Sequence, residues 1–318
     1  MSRHAPVFLH DSRFSWCNGG KAGLLDTILD IAIPAAVFII MVSIGFGVTG
    51  RDLRQALRAP RAFLTGVTAQ LMLVPSLVFL FLMLFPPEGE IGLGIMILAL
   101  CPGGALSNIL TKVAGGDVAL SVSMTAFTNV FSVATLPTLS LLAASHFLGT
   151  DVNASEIQAL TLQVAMIGTV PVLLGMCLRY MAPAFAERHG QSFFRVSLAA
   201  FILIMGWAII ESMNVFYAAM IALGWQLLAM LCLLLVIGGG IARLGMIALP
   251  QRITLVLEIA VQNSALGIAI GATIWQGASG FPIYATPAAV YGSLTLLLLF
   301  PLVALMSRTA RLAALAKH

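Results

Sequence analysis

Charged residues are scarce in this sequence. They make up 9% of its 318 residues, whereas 60% of the residues are hydrophobic. Ordinary soluble domains contain about 25% charged residues. Because a water-soluble domain cannot bury so much apolar surface, the composition argues against a soluble protein. It predicts a single compact unit embedded in a membrane.

Cysteine and histidine are also few, and their spacing forms no recognisable site. The four cysteines lie far apart, three of them inside apolar runs, so the sequence predicts neither a disulfide framework nor a structural metal site. The five histidines are scattered over tails and loops. The sequence also lacks a His/Glu metal motif and a Ser/His pairing. We therefore expect that the protein is not an enzyme and uses no cofactor.

Nine apolar runs are long enough to cross a bilayer as helices. A membrane-spanning helix needs about 20 apolar residues, and each run reaches about that length between polar or Gly/Pro breaks. Helices are expected because backbone polar groups in lipid must be paired within the protein. We predict an all-α polytopic fold whose spans cover residues 25–49, 62–85, 90–114, 118–147, 156–180, 195–214, 217–243, 252–276 and 283–307.

Lysines and arginines indicate how these spans are oriented. Under nine alternating crossings, thirteen of them fall on one side, and the loops on the other side contain none. Cytoplasmic loops are enriched in Lys and Arg. We therefore predict an external amino terminus and a cytoplasmic carboxyl terminus. The thirteen residues are Arg51, Arg54, Arg58, Arg61, Lys112, Arg179, Arg188, Arg195, Arg243, Arg252, Arg308, Arg311 and Lys317.

The odd number of spans places two four-helix blocks in opposite senses across the membrane, which is an inverted repeat. Spans three and eight carry polar interruptions at corresponding positions, 103–108 and 262–267. Paired interruptions point to a transporter binding site, because broken helices expose carbonyls and half-helix ends near the bilayer midplane. The predicted organisation is a flexible tail at 1–24, a first repeat at 25–147, a connector span at 156–180, a second repeat at 195–307 and a cytoplasmic tail at 308–318.

Glu258 is the acidic residue that lies inside a predicted span. A carboxylate at that depth costs at least about 2.5–3.5 kcal/mol, so it needs a compensating partner. No Lys or Arg shares a span interior with it. We expect its partner to be a cation, because hydroxyl and amide oxygens lie nearby in the sequence and hard cations prefer oxygen ligands. The alternative is a protonated carboxyl group bonded to another helix.

Other polar side chains inside the apolar runs are candidates for the same site. Ser107 and Asn108 follow directly after Pro102, whose ring interrupts the amide ladder and frees carbonyl oxygens. Gln70 is an isolated amide in span two. Span four carries a polar stripe at helical spacing, which can also be explained as hydrogen bonding between helices. The residues of that stripe are Ser121, Thr125, Thr128, Asn129 and Ser132.

Three motifs stand out in the sequence, at residues 101–108 (CPGGALSN), 115–122 (GGDVALSV) and 258–264 (EIAVQNS). They resemble the bile acid:sodium symporter family, in particular its bacterial members, and the likeness covers nearly all of the chain after residue 24. The resemblance implies a location in the cytoplasmic (inner) membrane of a bacterium. The resemblance implies two crossing broken helices, divided between a core domain and a panel domain that work by alternating access. Ala105 stands where some bacterial members have threonine, so the motifs do not imply bile acid itself.

The resemblance also implies which residues bind ions and substrate. One sodium ion is held in that family by residues that match Ser107, Asn108, Ser121, Thr125 and Glu258. A second sodium ion is held by residues that match Glu258, Gln262 and Gln70 and by backbone carbonyls that match those of Ile259 and Val261. The substrate, an organic anion, lies behind the crossing point, near Gly104, Ala105 and Asn263.

The expected function is sodium-coupled symport of an organic anion of the bile-acid or small-carboxylate type. The expected partners are sodium, the anion and the lipid bilayer, and nucleic acid is not among them. The alternative is a proton-coupled or uncoupled efflux carrier on the same scaffold, which would depend on a reactive Cys101.

Overall fold

The structure is a computed structural model that describes residues 35–36, 38–43, 45–46, 59–149, 162, 166, 170–211, 213–274 and 282–315. Within these ranges every regular element is helical, which confirms the predicted all-α class. The elements are α1 (Pro60–Thr68), a π-helical turn (Ala69–Leu73), α2 (Val74–Leu84), α3 (Gly89–Leu100), α4 (Ala105–Ala114), α5 (Val118–Phe147), α6 (Val170–Met181), α7 (Pro183–Glu211), α8 (Met213–Leu244), α9 (Leu249–Ala260), α10 (Ser264–Ile274) and α11 (Thr286–Leu315).

Four helical segments are long and apolar enough to cross a membrane, and a fifth is added when α5 is counted as one bent span. They support an integral membrane protein and agree with predicted spans two, seven, eight, nine and four. Span one and the tail at 1–24 lie wholly or largely outside the described residues, as does the first part of the connector span. The nine-span count, the inverted repeat and the two domains therefore stay predictions. The four segments are Pro60–Leu84, Phe216–Leu244, Leu249–Ala272 and Thr286–Ala304.

The candidate span Leu249–Ala272 contains the second predicted interruption and lies at the centre of the described bundle; it is called the interrupted span here. Of its most apolar stretch, 78% is buried within the protein, against 33–44% for the other three candidate spans. The exposed faces of those three suit lipid contact, since lipid tails are as apolar as their side chains. The interrupted span instead packs against α8, α4, α5 and α1. Its polar residues are therefore enclosed by protein.

Two prolines shape the helices around this centre. Pro137 lies inside α5, which bends by 59° between Ser132 and Ala134. The bend is expected there, because a proline ring clashes with the carbonyl four residues earlier. Pro75 follows the π-helical turn, in which the Val74 amide donates to the Ala69 carbonyl. The turn buries Gln70 on the inner side of its span.

Candidate functional site

Both predicted helix interruptions are present, and they touch each other. α3 ends at Leu100 and α4 begins at Ala105, while α9 ends at Ala260 and α10 begins at Ser264. The Asn263 amide donates a hydrogen bond of 3.2 Å to the Cys101 carbonyl, which joins the two breaks. Pro102 and the two glycines after it explain the first break, since neither residue type supports a helix interior.

The second halves of both interrupted helices begin at this junction. The Asn263 side chain caps α10, because its Oδ1 accepts a hydrogen bond of 3.1 Å from the Leu266 amide. Gly104 lies directly against it, since a β-carbon added at Gly104 would be 3.2 Å from Asn263 Cγ. Ala105 is the first residue of α4. The three residues predicted to contact substrate therefore lie together at two helix amino termini.

Glu258 lies in the last turn of α9 and is 3% exposed. Its carboxylate accepts hydrogen bonds from two hydroxyls of α5, at 2.5 Å from Ser121 Oγ and 3.0 Å from Thr125 Oγ1. Glu258 is the only buried carboxylate among the described residues, and no described lysine or arginine forms an ion pair with it. The described residues therefore offer this carboxylate neutral hydrogen-bond donors but no basic group to balance a negative charge.

The Ser121 hydroxyl is in contact with two acceptor oxygens but has only one hydrogen to donate. Its Oγ lies 2.5 Å from Glu258 Oε1 and 2.6 Å from Asn108 Oδ1. A hydroxyl donates one hydrogen, so when Glu258 is ionised one of these oxygen pairs is in close contact without a bridging proton. Such a group of oxygens has the donor chemistry that hard cations prefer.

Gly103 allows further oxygens to approach the same point. A β-carbon added there would lie 2.9 Å from Glu258 Oε2, 3.0 Å from Ser107 Oγ and 3.3 Å from the Val261 carbonyl oxygen. The hydroxyl of Ser107 also donates to the Gly104 carbonyl, at 2.8 Å. The missing side chain at Gly103 thus lets groups from α4, α9 and the second break converge.

A second group of predicted residues lies at the end of α9. Gln70 Nε2 donates to Gln262 Oε1 at 3.0 Å, and Gln262 Nε2 donates to the Ile259 carbonyl at 2.8 Å. Gln70 Oε1 is buried and has no hydrogen-bond partner among the described residues. An unpaired buried acceptor is costly, so this oxygen is available to a ligand.

All twelve predicted site residues thus fall into three adjoining groups. The roles predicted for them in binding ions and substrate stay predictions. The first group, around Glu258, contains Ser107, Asn108, Ser121, Thr125, Glu258 and Val261. The second contains Gln70, Ile259 and Gln262. The third contains Gly104, Ala105 and Asn263.

Tyr291 is a residue of this region that the sequence reasoning missed. It is fully buried in α11, and its hydroxyl donates a hydrogen bond of 2.5 Å to the Ala260 carbonyl, the last of α9. A tyrosine inside an apolar span is itself a signal, because a buried phenolic hydroxyl needs a partner.

Thr254 is a second residue that the sequence reasoning missed. Its Oγ1 accepts a hydrogen bond of 2.8 Å from the Asp117 amide, which connects the loop before α5 to α9.

Replacing Tyr291 with phenylalanine should destabilise the second break. The change leaves the Ala260 carbonyl buried without its donor, so we expect the free energy of unfolding to fall by about 1 kcal/mol. Thermal unfolding of the detergent-purified protein measures this loss. Tyr217→Phe, at an exposed tyrosine of α8, is the control. Equal melting temperatures for both variants would contradict the role of the Tyr291 hydroxyl.

Comparison with known proteins identifies the family. Residues 34–219 match the sodium bile acid symporter family, and this match covers more than half of the chain. The chain belongs to the sodium bile acid symporter family. The resemblance inferred from the three sequence motifs is thereby confirmed. Because the family consists of transporters, membership is consistent with a protein that is not an enzyme.

Known proteins that this chain resembles in sequence have similar descriptions. A probable chloroplastic sodium/metabolite cotransporter, BASS1 of Arabidopsis thaliana, is 29% identical over 256 residues, which are 79% of this chain and 61% of that protein. The uncharacterized sodium-dependent transporter YocS of Bacillus subtilis is 24% identical over 263 residues, 80% of this chain and 76% of that protein. A human sodium-dependent organic anion transporter is 28% identical over 167 residues, 51% of this chain and 42% of that protein.

The chain spans less than two thirds of the length of the plant BASS1 relatives. It spans about three quarters of the bacterial one. Sodium dependence is named for all three proteins described above, whereas their substrates are named only as metabolites or organic anions. The description that these proteins share is therefore that of a sodium-dependent transporter.

Proposed function

We propose that this protein is a secondary transporter that couples the movement of an organic anion to sodium. The observation that carries the proposal is Glu258, a buried carboxylate enclosed by neutral oxygens where two broken helices touch. A cation at this point balances the charge that no described basic residue balances. The named sodium dependence of the relatives supports sodium as that cation.

The first proposed sodium site uses the group around Glu258. Its ligands are the carboxylate, the hydroxyls of Ser107, Ser121 and Thr125 and the amide oxygen of Asn108, which come from α4, α5 and α9. The second uses Glu258, the side-chain oxygens of Gln70 and Gln262 and the carbonyls of Ile259 and Val261. The unpaired Gln70 Oε1 supports this second site. Apart from sodium as the coupling ion, we propose no cofactor.

The proposed anion site lies at the amino termini of α4 and α10, beside Gly104, Ala105 and Asn263. Helix amino termini carry partial positive charge and unpaired amides, so they favour carboxylate or sulfonate groups. No lysine or arginine is buried in the described part of the chain, which leaves this recognition to neutral donors. We propose a substrate of the bile-acid or small-carboxylate type.

Coupling between sodium and the anion follows because α4 contributes to both proposed sites. Sodium at the first site holds α4, α5 and α9 together, and α4 also presents one of the two amino termini to the anion. Each solute therefore favours the arrangement that the other needs, and the effect is reciprocal by thermodynamic linkage. Alternating access of the two breaks would then move both solutes in the same direction. We propose the cytoplasmic membrane of a bacterium as its location, with the carboxyl terminus in the cytoplasm.

Uptake into proteoliposomes tests this function. Labelled taurocholate, pantoate and pyruvate are each offered with an inward sodium gradient, with an inward proton gradient and with neither gradient. We expect uptake of at least one anion that depends on the sodium gradient alone. Uptake that follows the proton gradient, or that ignores both gradients, would contradict sodium coupling and favour the proton-coupled or uncoupled alternative.

Substitution of Cys101 separates sodium coupling from a thiol-dependent carrier. Reactive cysteines are partly exposed, whereas the Cys101 side chain is 0% exposed. We therefore expect Cys101→Ala to keep sodium-driven uptake within about twofold of the wild type, since a buried thiol of this kind acts as a small apolar group. Cys232→Ala, at an exposed cysteine of α8, is the matched control. Complete loss of uptake in Cys101→Ala alone would point to thiol chemistry.

A further inference from the structure

Asn129 is a buried amide whose donor has no partner. The side chain is 2% exposed, and its Nδ2 makes no hydrogen bond to any part of the chain that the structure describes. A buried donor without an acceptor costs about 1–3 kcal/mol. Such a group in a native structure calls for an explanation, and a ligand that supplies the acceptor is one.

The neighbouring polar side chains on α5 do not share this property. Thr128 donates to the Met124 carbonyl at 2.9 Å, and Ser132 donates to the Asn129 carbonyl at 2.7 Å. Both hydroxyls are thus satisfied by the backbone of their own helix, as is usual for such residues inside membrane helices. Asn129 is the member of this stretch whose side-chain donor has no partner among the described residues.

The position of Asn129 relates it to the proposed anion site. It follows Thr125 by four residues, so it lies on the same face of α5 and about 6 Å further along the helix. Thr125 is itself hydrogen-bonded to Glu258. Asn129 is therefore one helical turn beyond the proposed sodium ligands.

The register between α4 and α5 shows how far Asn129 lies from the break at 101–104. The two helices are joined by a short loop at 115–117 and run antiparallel, and the contact between Asn108 and Ser121 fixes their register. Eight residues, or about 12 Å, separate Ser121 from Asn129 along α5. Measured from Asn108 toward the start of α4, the same distance extends beyond Ala105, the first residue of α4, and reaches the break at 101–104. α5 packs against both α3 and α4, the helices on either side of that break.

We propose that Asn129 binds the acidic group of the transported anion through its side-chain amide. The inference rests on the proposed function, to which it adds a specificity-determining residue. The half-helix amino termini supply backbone donors, and Asn129, which the register places level with the break at 101–104, supplies a side-chain donor beside them. A neutral amide suits this place, because a basic residue so close to the proposed sodium site would repel the coupling ion.

Two substitutions test the assignment, each measured with the same three labelled anions. Asn129→Leu keeps the branching of the side chain at Cγ and removes the donor, and Asn129→Asp replaces the donor by a second carboxylate. We expect Asn129→Leu to raise the KM of the transported anion about tenfold to a hundredfold, as expected for a lost hydrogen bond to a charged group. The sodium concentration for half-maximal uptake should stay within about twofold. Asn129→Asp should raise the KM further by repulsion.

A stability measurement distinguishes ligand binding from a structural role. Because the donor has no partner in the described protein, Asn129→Leu should leave the melting temperature of the anion-free protein unchanged or higher. Thr128→Ala, one residue away, is the matched control and should keep the wild-type KM. An unchanged KM in Asn129→Leu would overturn the proposal, as would a lower melting temperature together with an equal loss of sodium and anion affinity. Tighter sodium binding by Asn129→Asp would instead assign the residue to an ion site.

Failure of the inference can be told apart from failure of the proposed function. If wild-type protein shows sodium-driven uptake while the Asn129 variants keep its KM, only the role of Asn129 is wrong. If wild-type protein moves none of the three anions with sodium, the proposed function fails, and the inference falls with it.

Discussion

Replacing Glu258 with glutamine will reduce sodium-driven anion uptake to the level of protein-free liposomes. The substitution keeps the shape of the side chain, replaces one acceptor oxygen by an amide donor, and removes the buried negative charge that faces the oxygens of Ser107, Ser121 and Thr125. Both proposed sodium sites use this carboxylate, so neither should bind sodium without it. Initial rates of uptake in proteoliposomes, across a range of sodium concentrations, measure the effect.

Glu187→Gln is the matched control for this change. Glu187 is an exposed carboxylate of α7 that lies 3.6 Å from Arg179. Surface ion pairs contribute little to stability, so this variant should behave like the wild type. If Glu258→Gln kept sodium-driven uptake with the same sodium dependence, the carboxylate would have no part in coupling. Its burial would then be explained as a protonated group bonded to α5.

Replacing Gly103 with alanine is the second change with a large expected effect. The new methyl group would lie 2.9 Å from Glu258 Oε2, so the carboxylate or the first break must shift. Overpacking of this kind typically costs about 1–3 kcal/mol. If that cost falls on the sodium-bound arrangement, the sodium concentration for half-maximal uptake rises about tenfold to a hundredfold. The measurement is sodium-dependent uptake at a fixed anion concentration.

Gly240→Ala controls for the general effect of adding a methyl group. A β-carbon at Gly240 in α8 meets no described atom within 4 Å, and alanine favours a helix more than glycine does. We expect this variant to be as active and as stable as the wild type. Equal sodium dependence in Gly103→Ala and Gly240→Ala would show that the space at Gly103 is not needed for ion binding.

The sequence predicted the chemistry of the site better than its packing. A carboxylate inside an apolar run needs a compensating partner, and Pro102 with two glycines predicts a helix break, so Glu258 and the first interruption could be found from local physics. The structure confirms the break and brings Ser121 and Thr125 to the carboxylate. The contact between Gln70 and Gln262 spans 192 residues and was predicted only through the family resemblance.

Other features depend on contacts that no local pattern encodes. The π-helical turn at Ala69–Leu73 inserts one extra residue into a helix whose apolar pattern looks regular. The polar stripe of span four was compatible both with a ligand site and with helix contacts. The structure separates its members, because Thr128 and Ser132 bond to their own backbone while the Asn129 donor has no described partner.

Direct binding of radioactive sodium to the purified protein tests most closely whether Glu258 forms the coupling site. Wild-type protein, Glu258→Gln and Glu187→Gln are compared in detergent, with potassium as the balancing ion. We predict saturable sodium binding to the wild type and to Glu187→Gln, and none to Glu258→Gln. Saturable binding of equal affinity in all three proteins, or no binding to the wild type, would contradict a sodium site at the junction of the two broken helices.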